Sequence, residues 1–254
     1  EIILLLVSGV IVGIINTLGG GGSVITMSLF MAMGMPIAIA NGTNRIAVLL
    51  QNLSATMAFL RKGMLHIKRG LLLSIPAILG NIIGAMVATE VSESVFKICL
   101  SVVLAIILIY LVLGKDKQQA QGGHGLQIKW WHYIWFFIIG FYGGYIYIGL
   151  GFLILAITIW TMHLDIITAN VIKGFVIFLS TPFALAVFIY NDQVAWVAGL
   201  LHGVGNIVGA VMASHWAMSW GVKFVRWFTL VIIVVFFIDL MGWISLQQLL
   251  SHLL

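Results

Sequence analysis

Two cations stand deep inside apolar sequence. Arg45 and Lys173 each fall a few residues beyond an Ala-Asn pair, Ala40-Asn41 and Ala169-Asn170, in the first part of a long hydrophobic segment. A cation in the hydrocarbon of a bilayer costs about 2.5–3.5 kcal/mol on insertion scales, and is normally retained for function or for pairing. No acidic residue lies nearby in sequence. Two readings remain open: the pair lines a site for an anion, or each side chain snorkels to headgroups or hydrogen-bonds a helix end.

A glycine run, Leu18-Gly19-Gly20-Gly21-Gly22-Ser23, points toward an anion independently. If a helix begins near Gly22 inside the membrane, its unpaired N–H groups and positive dipole end face the interior, where an anion can satisfy them. Glycine lets a ligand approach the backbone closely, although flexible turns and tight packing also select it. Polar residues extend the constellation: Asn41, Thr43, Asn44, Gln51 and Asn52 in the first half, and Asn170, Ser180 and Thr181 in the second. Asn44 follows Asn41 by three residues on one helical face. These side chains could instead bind helices to one another. His202, the one histidine well inside an apolar segment, could shuttle a proton or pack as a polar core residue. The candidate substrate-binding set is therefore Arg45, Lys173, Asn41, Asn170, Gly20, Gly21, Gly22, Ser23, Thr43, Asn44 and His202. No catalytic set, cofactor or metal site is expected, since there is no His-x-x-x-His motif and Cys99 stands alone.

The elements that must hold these residues are helices in a membrane. Of 254 residues, 62% are hydrophobic and 7% charged, against roughly 25% charged in a soluble domain. Continuous apolar runs such as 98–113 and 228–240 exclude the alternating pattern of a barrel. The net charge of +5 reads as the positive-inside bias rather than as nucleic-acid binding. The first apolar stretch has no basic region before it and reads as a span rather than a signal peptide. Segments are expected at about 2–17, 23–34, 37–60, 70–88, 94–113, 132–147, 149–162, 166–190, 194–214 and 222–243, six of full length and four short.

The halves resemble each other. Gly80-Asn-Ile-Ile-Gly-Ala-Met-Val-Ala88 recurs as Gly205-Asn-Ile-Val-Gly-Ala-Val-Met-Ala213, Ala40-Asn41 recurs as Ala169-Asn170, and Gly13–Ser23 has a counterpart in Gly140–Gly151. The order and near-constant offset imply a duplicated unit, with repeats 1–113 and 132–254 joined by a polar linker 114–131. Basic clusters at Arg61, Lys62, Lys68 and Arg69, and at Lys115, Lys117 and Lys129, place those loops in the cytoplasm. Glu90 and Glu93 then face outward, as do Asn191 and Asp192, and both termini are external. The loop after the third segment is thus inside in one half and outside in the other, so the repeats are inverted. The expected fold is an all-α polytopic membrane protein of two inverted-topology repeats, each opening with a short Gly-broken helix pair followed by three full spans. That is the architecture of secondary transporters. The Gly-x-x-x-Gly stripes Gly9/Gly13, Gly80/Gly84, Gly199/Gly203 and Gly205/Gly209 suit close helix crossings.

The glycine cluster after a short first span, Pro36 at the next turn, the Ala-Asn-Gly-Thr-Asn start of the third segment and a weaker glycine copy in the second half resemble the sulfite exporter TauE/SafE family. The resemblance covers essentially the whole chain. It implies a bacterial inner-membrane exporter of sulfite, sulfonates and related organosulfur anions. The second glycine copy departs from the first by carrying Tyr145 and Tyr147, which points to unequal half-sites or an aromatic-lined pocket. The expected function is alternating-access transport of such an anion, with lipid and a small anionic substrate as partners and homo-oligomerisation left open. An anion channel, or a transporter of a different organic anion, is the alternative; an intramembrane enzyme lacks any suitable grouping of side chains at depth.

Overall fold

The computed structural model describes residues 1–18, 21–90 and 128–216, with 92, 94–96, 98, 99, 101, 102, 105, 234 and 238. Gly20, most of the linker, and most of the spans expected at 94–113 and 222–243 lie outside the described residues. The described residues include eight helices and no strand: α1 (Ile2–Leu18), α2 (Ser23–Ala32), α3 (Ile37–Arg61), α4 (Ile67–Glu90), α5 (Trp130–Tyr145), α6 (Leu150–Met162), α7 (Ile166–Tyr190) and α8 (Trp196–Trp216). α5 takes in the last two residues of the expected linker, Trp130 and Trp131.

The short pairs fall where the glycines predicted them. α2 has 10 residues and α6 has 13, lengths of about 15 and 20 Å, too short to cross ~30 Å of hydrocarbon alone. Pro36 opens α3 with extended backbone (φ −54°, ψ 147°), as proline before a helix requires. Asp165 opens α7, its carboxylate accepting from the Ile167 and Thr168 amides at 3.0 Å each and from the Thr168 hydroxyl at 2.6 Å. Among the described residues, α4, Ile167–Tyr190 of α7 and Trp196–Ala213 of α8 are long and apolar enough to span a membrane. α3 is as long as α7, but Asn41, Asn44, Arg45, Gln51 and Asn52 lower its hydropathy, and all five are buried.

Packing is reciprocal between the two halves of the chain. α1 lies along α8 and α5 along α4, while α3 packs on α7 and α8 and α7 packs on α3 and α4. The first two pairs meet backbone to backbone through glycine. A Cβ on Gly209 would come within 2.0 Å of Val10 O, on Gly13 within 2.3 Å of Asn206 O, on Gly84 within 2.0 Å of Phe141 O and on Gly144 within 2.1 Å of Asn81 O. Gly9, Gly13, Gly205 and Gly209 thus serve one crossing, and Gly80, Gly84, Gly140 and Gly144 the other.

Among the described residues, apolar side chains cover much of the outer face, and polar ones are buried within an otherwise apolar interior. On α4, Ile75, Leu79, Ile83 and Met86 are exposed, and on α8 so are Leu200, Val204, Val208 and Val211, the same stripe displaced by 125 positions. Such faces suit lipid. The interior holds Phe30, Met27, Phe96 and Phe188 in one apolar cluster and Leu73, Phe136, Leu150, Ile154 and Val176 in another.

Two outcomes follow from these contacts. Gly84→Ala should lower stability by about 1–3 kcal/mol, read as a drop in melting temperature in detergent. Gly174→Ala should not, because its added Cβ would find only Asn52 Oδ1 at 3.8 Å. At the α7 cap, burial raises the Asp165 carboxyl, but the hydrogen bonds from Thr168 and Ile167 outweigh it and hold the group below its ordinary value. The stabilisation is therefore present above the ordinary carboxylate range and lost as pH falls through the folded value. Asp165→Ala should cost about 0.5–2 kcal/mol at pH 7, and its deficit against wild type should shrink on acidification toward pH 3.

Candidate functional site

A helix that ends inside a membrane leaves carbonyls without intrahelical partners and with no water to reach them. In both first helices, α1 and α5, the last turn meets the buried cation carried by the other half of the chain.

At the end of α5, Arg45 Nη1 donates to Gly143 O at 2.5 Å, and Nη2 donates to Gly144 O at 2.9 Å and to Asn41 Oδ1 at 2.8 Å. Asn41 Nδ2 donates in turn to Tyr145 O at 2.9 Å. The last carbonyls of α5 are thus gathered by two side chains one turn apart on α3, and a cation sits at the negative end of the helix dipole. The Tyr147 and Phe188 rings lie 4.8 and 5.4 Å from the guanidinium carbon, close enough for cation–π attraction. Arg45 is fully buried.

At the end of α1, Lys173 Nζ lies 3.4 Å from Asn16 O. The Asn16 side chain works as a clasp. Its Oδ1 accepts from Gly22 N at 2.7 Å, capping the start of α2, and its Nδ2 donates to Gln51 Oε1 at 3.2 Å. Gln51 reaches Thr17 Oγ1 at 3.4 Å, and Thr17 donates to Gly13 O at 2.8 Å. A Cβ on Gly22 would meet Val12 O at 2.8 Å and Asn16 Oδ1 at 2.9 Å, so glycine is required by close approach. Gly21 and Ser23 are buried beside it, and Ser23 Oγ has no partner among the described residues.

The two clusters adjoin across the α3–α7 crossing. Asn52, one position from Gln51, lies within reach of the Tyr147 side chain and 3.8 Å from where a Gly174 Cβ would stand, next to Lys173. Asn44 lies on the same side of α3 as Gln51, buried, its Nδ2 without a partner among the described residues. Asn170 stands three positions before Lys173 on α7 and is half-buried.

Two candidates stand apart. Thr43 faces α8, accepting from Ala195 N at 2.9 Å. His202 belongs to a separate cluster that joins α8 to α1 and α2: Nδ1 lies 3.2 Å from Leu5 O and from Ser8 Oγ, and Nε2 lies 3.0 Å from Thr26 Oγ1. A carbonyl can only accept, so Nδ1 carries the proton and Nε2 accepts from Thr26. The sequence reading missed Asn16, Thr17, Ser8 and Thr26. The first two carried a signal, being polar residues in the last turn of an apolar helix directly before a glycine run.

Among the described residues no carboxylate lies within ion-pair distance of Arg45 or Lys173. The family model for sulfite exporter TauE/SafE matches residues 5–240. The chain belongs to this family. Among curated relatives of this TauE/SafE chain, a Sinorhizobium protein is 29% identical over 222 residues, covering 87% of this chain and 85% of its own. A Haemophilus influenzae protein is 26% identical over 225 residues, covering 86% of each. The Escherichia coli K12 protein YfcA is 26% identical over 228 residues, 84% of this chain and 80% of its own. Each is named a "probable membrane transporter protein". No solved structure matches. The TauE/SafE chain is a membrane transporter rather than an enzyme, and its buried cations are part of a transporter's interior.

Arg45→Lys offers a measurement of the α5 joint. An ammonium is a point donor and cannot span three acceptors as the planar fork does. The variant should lose about 1–3 kcal/mol from carbonyls left unsatisfied, read as a lower melting temperature.

Proposed function

We propose that this protein is a secondary transporter that exports a small sulfur-containing anion, such as sulfite or an organosulfonate, by alternating access between inverted repeats 1–113 and 132–254. One observation carries the reading. Two buried cations, Arg45 and Lys173, have no carboxylate beside them among the described residues and lie at the ends of α5 and α1. Their combined field favours an anion near the midplane, at the repeat interface. The backbone from Gly20 to Ser23, with Asn41, Asn44 and Asn170, would surround it.

The inverted repeat is supported by the reciprocal packing of α1 on α8 and α5 on α4, and by the exposed stripes displaced by one constant offset. Orientation follows from the basic α3–α4 loop, with Arg61, Lys62, Lys68 and Arg69 in the cytoplasm, the linker 114–131 beside it, and both termini outside a bacterial inner membrane. With the cell interior negative, each exported negative charge gains about 2.3 kcal/mol per 100 mV, so export needs no coupling ion.

Purified protein in proteoliposomes should carry labelled sulfite or a small sulfonate with saturable kinetics, and reversal of an imposed voltage should reverse net flux. Lys173→Ala and Arg45→Ala should each reduce flux at least tenfold. Wild-type rates in both variants would remove these cations from the site, and single-channel currents would favour a channel instead.

A further inference from the structure

We propose that the two helix breaks have divided the work: the Arg45 half is a permanently closed joint, and the Lys173 half is where one anion per chain binds. This deepens the anion-transport reading and rests on it.

The arginine has no fork to offer. An oxyanion is held bidentately by two adjacent N–H groups, either the outer pair on Nη1 and Nη2 or the side pair on Nε and Nη2. Gly143 O and Gly144 O take the outer pair, and Asn41 Oδ1 takes the remaining proton of Nη2. The side pair is thereby reduced to Nε alone, which has no partner among the described residues. Two aromatic rings lie over the guanidinium.

Tyr147 explains why this half closed. Four positions of sequence separate α1 from α2 and α5 from α6, so by count in the sequence Tyr147 corresponds to Gly20. It holds a left-handed backbone, φ 70°, a conformation bulky side chains rarely adopt. The side chain is buried between Arg45 and Asn52. A left-handed backbone that buries a large ring here fills this break with the Tyr147 side chain.

The lysine half has the opposite character. Lys173 is 5% exposed, and its ammonium, which carries three donors, has one acceptor among the described residues, Asn16 O at 3.4 Å. The Asn16 clasp brings Lys173 to the first turn of α2. There Ser23, 1% exposed, presents a hydroxyl with no partner among the described residues. Asn44 adds a second unpartnered buried donor, on the side of α3 that carries Gln51. A buried ammonium with one long contact, and a buried hydroxyl and a buried amide donor that have no partner among the described residues, suit a compact oxyanion with several acceptor oxygens. They suit a large or apolar solute poorly.

The test is isothermal titration of the full chain in nanodiscs with sodium sulfite, paired with melting temperatures. Wild type should bind one sulfite per chain. Lys173→Gln should raise Kd at least tenfold and Lys173→Arg should restore most of the affinity. Ser23→Ala, which removes a hydroxyl with no partner and so should fold as wild type, should raise Kd at least threefold. Arg45→Gln should lower the melting temperature or fail to fold, and where it folds Kd should rise by less than it does in Lys173→Gln. Two sulfites per chain, unchanged Kd in Ser23→Ala, or a Kd that follows Arg45 rather than Lys173 would overturn the division while leaving anion transport standing. Absence of any sulfite binding by wild type would overturn both.

Discussion

The structure turns on one constraint: a helix that stops inside hydrocarbon must have its last carbonyls paired by protein. At the ends of both α1 and α5 the partner comes from the long third helix of the other half. Arg45 and Asn41 collect Gly143, Gly144 and Tyr145 carbonyls, while Lys173 approaches Asn16. The polar stripe of α3 that makes it the least apolar of the long helices exists to meet these ends. The glycines of α1, α4, α5 and α8 bring the broken helices close enough for the side chains to reach.

This arrangement reconciles two uses of one cation that compete in sequence. A buried arginine can satisfy a helix end or attract an anion, and a guanidinium with five donors can do some of both. Where its donors are spent on carbonyls its positive field persists, because backbone carbonyls carry only partial charge. A transporter interior can therefore be electropositive although every cation in it has neighbours. The aromatic rings near Arg45 and the lone long contact of Lys173 show how differently that field is clothed on the two sides.

Much of this was legible from residue type and spacing. Arg45 and Lys173 stood out because charge in apolar sequence is costly, and the glycine runs placed both helix breaks within a residue or two. The Gly-x-x-x-Gly stripes at Gly9, Gly80 and Gly205 read correctly as crossings. The partner stripe Gly140/Gly144 was seen as part of a glycine-rich segment without its crossing being recognised. What stayed hidden depends on contacts distant in sequence. Nothing local to His202 announces Ser8 or Thr26, some 180 positions away, and Thr43 looks like Asn44 until α8 is placed beside it. The role of Asn16 needed the fold as well, since an asparagine near a glycine run is ordinary turn chemistry until Gln51 and Lys173 arrive from other helices.

The glycine crossings also bear on how such a machine could move. Backbones that touch with no room for a single methyl cannot slide or tilt independently, so α1 travels with α8 and α4 with α5. Each rigid pair takes one helix from the first half of the chain and one from the second. The seam along which the protein can flex therefore does not follow the boundary between the halves of its sequence. It runs between interlocked pairs, past the α3–α7 crossing, so that rocking there would carry the closed Arg45 joint as one piece and work against the Lys173 side.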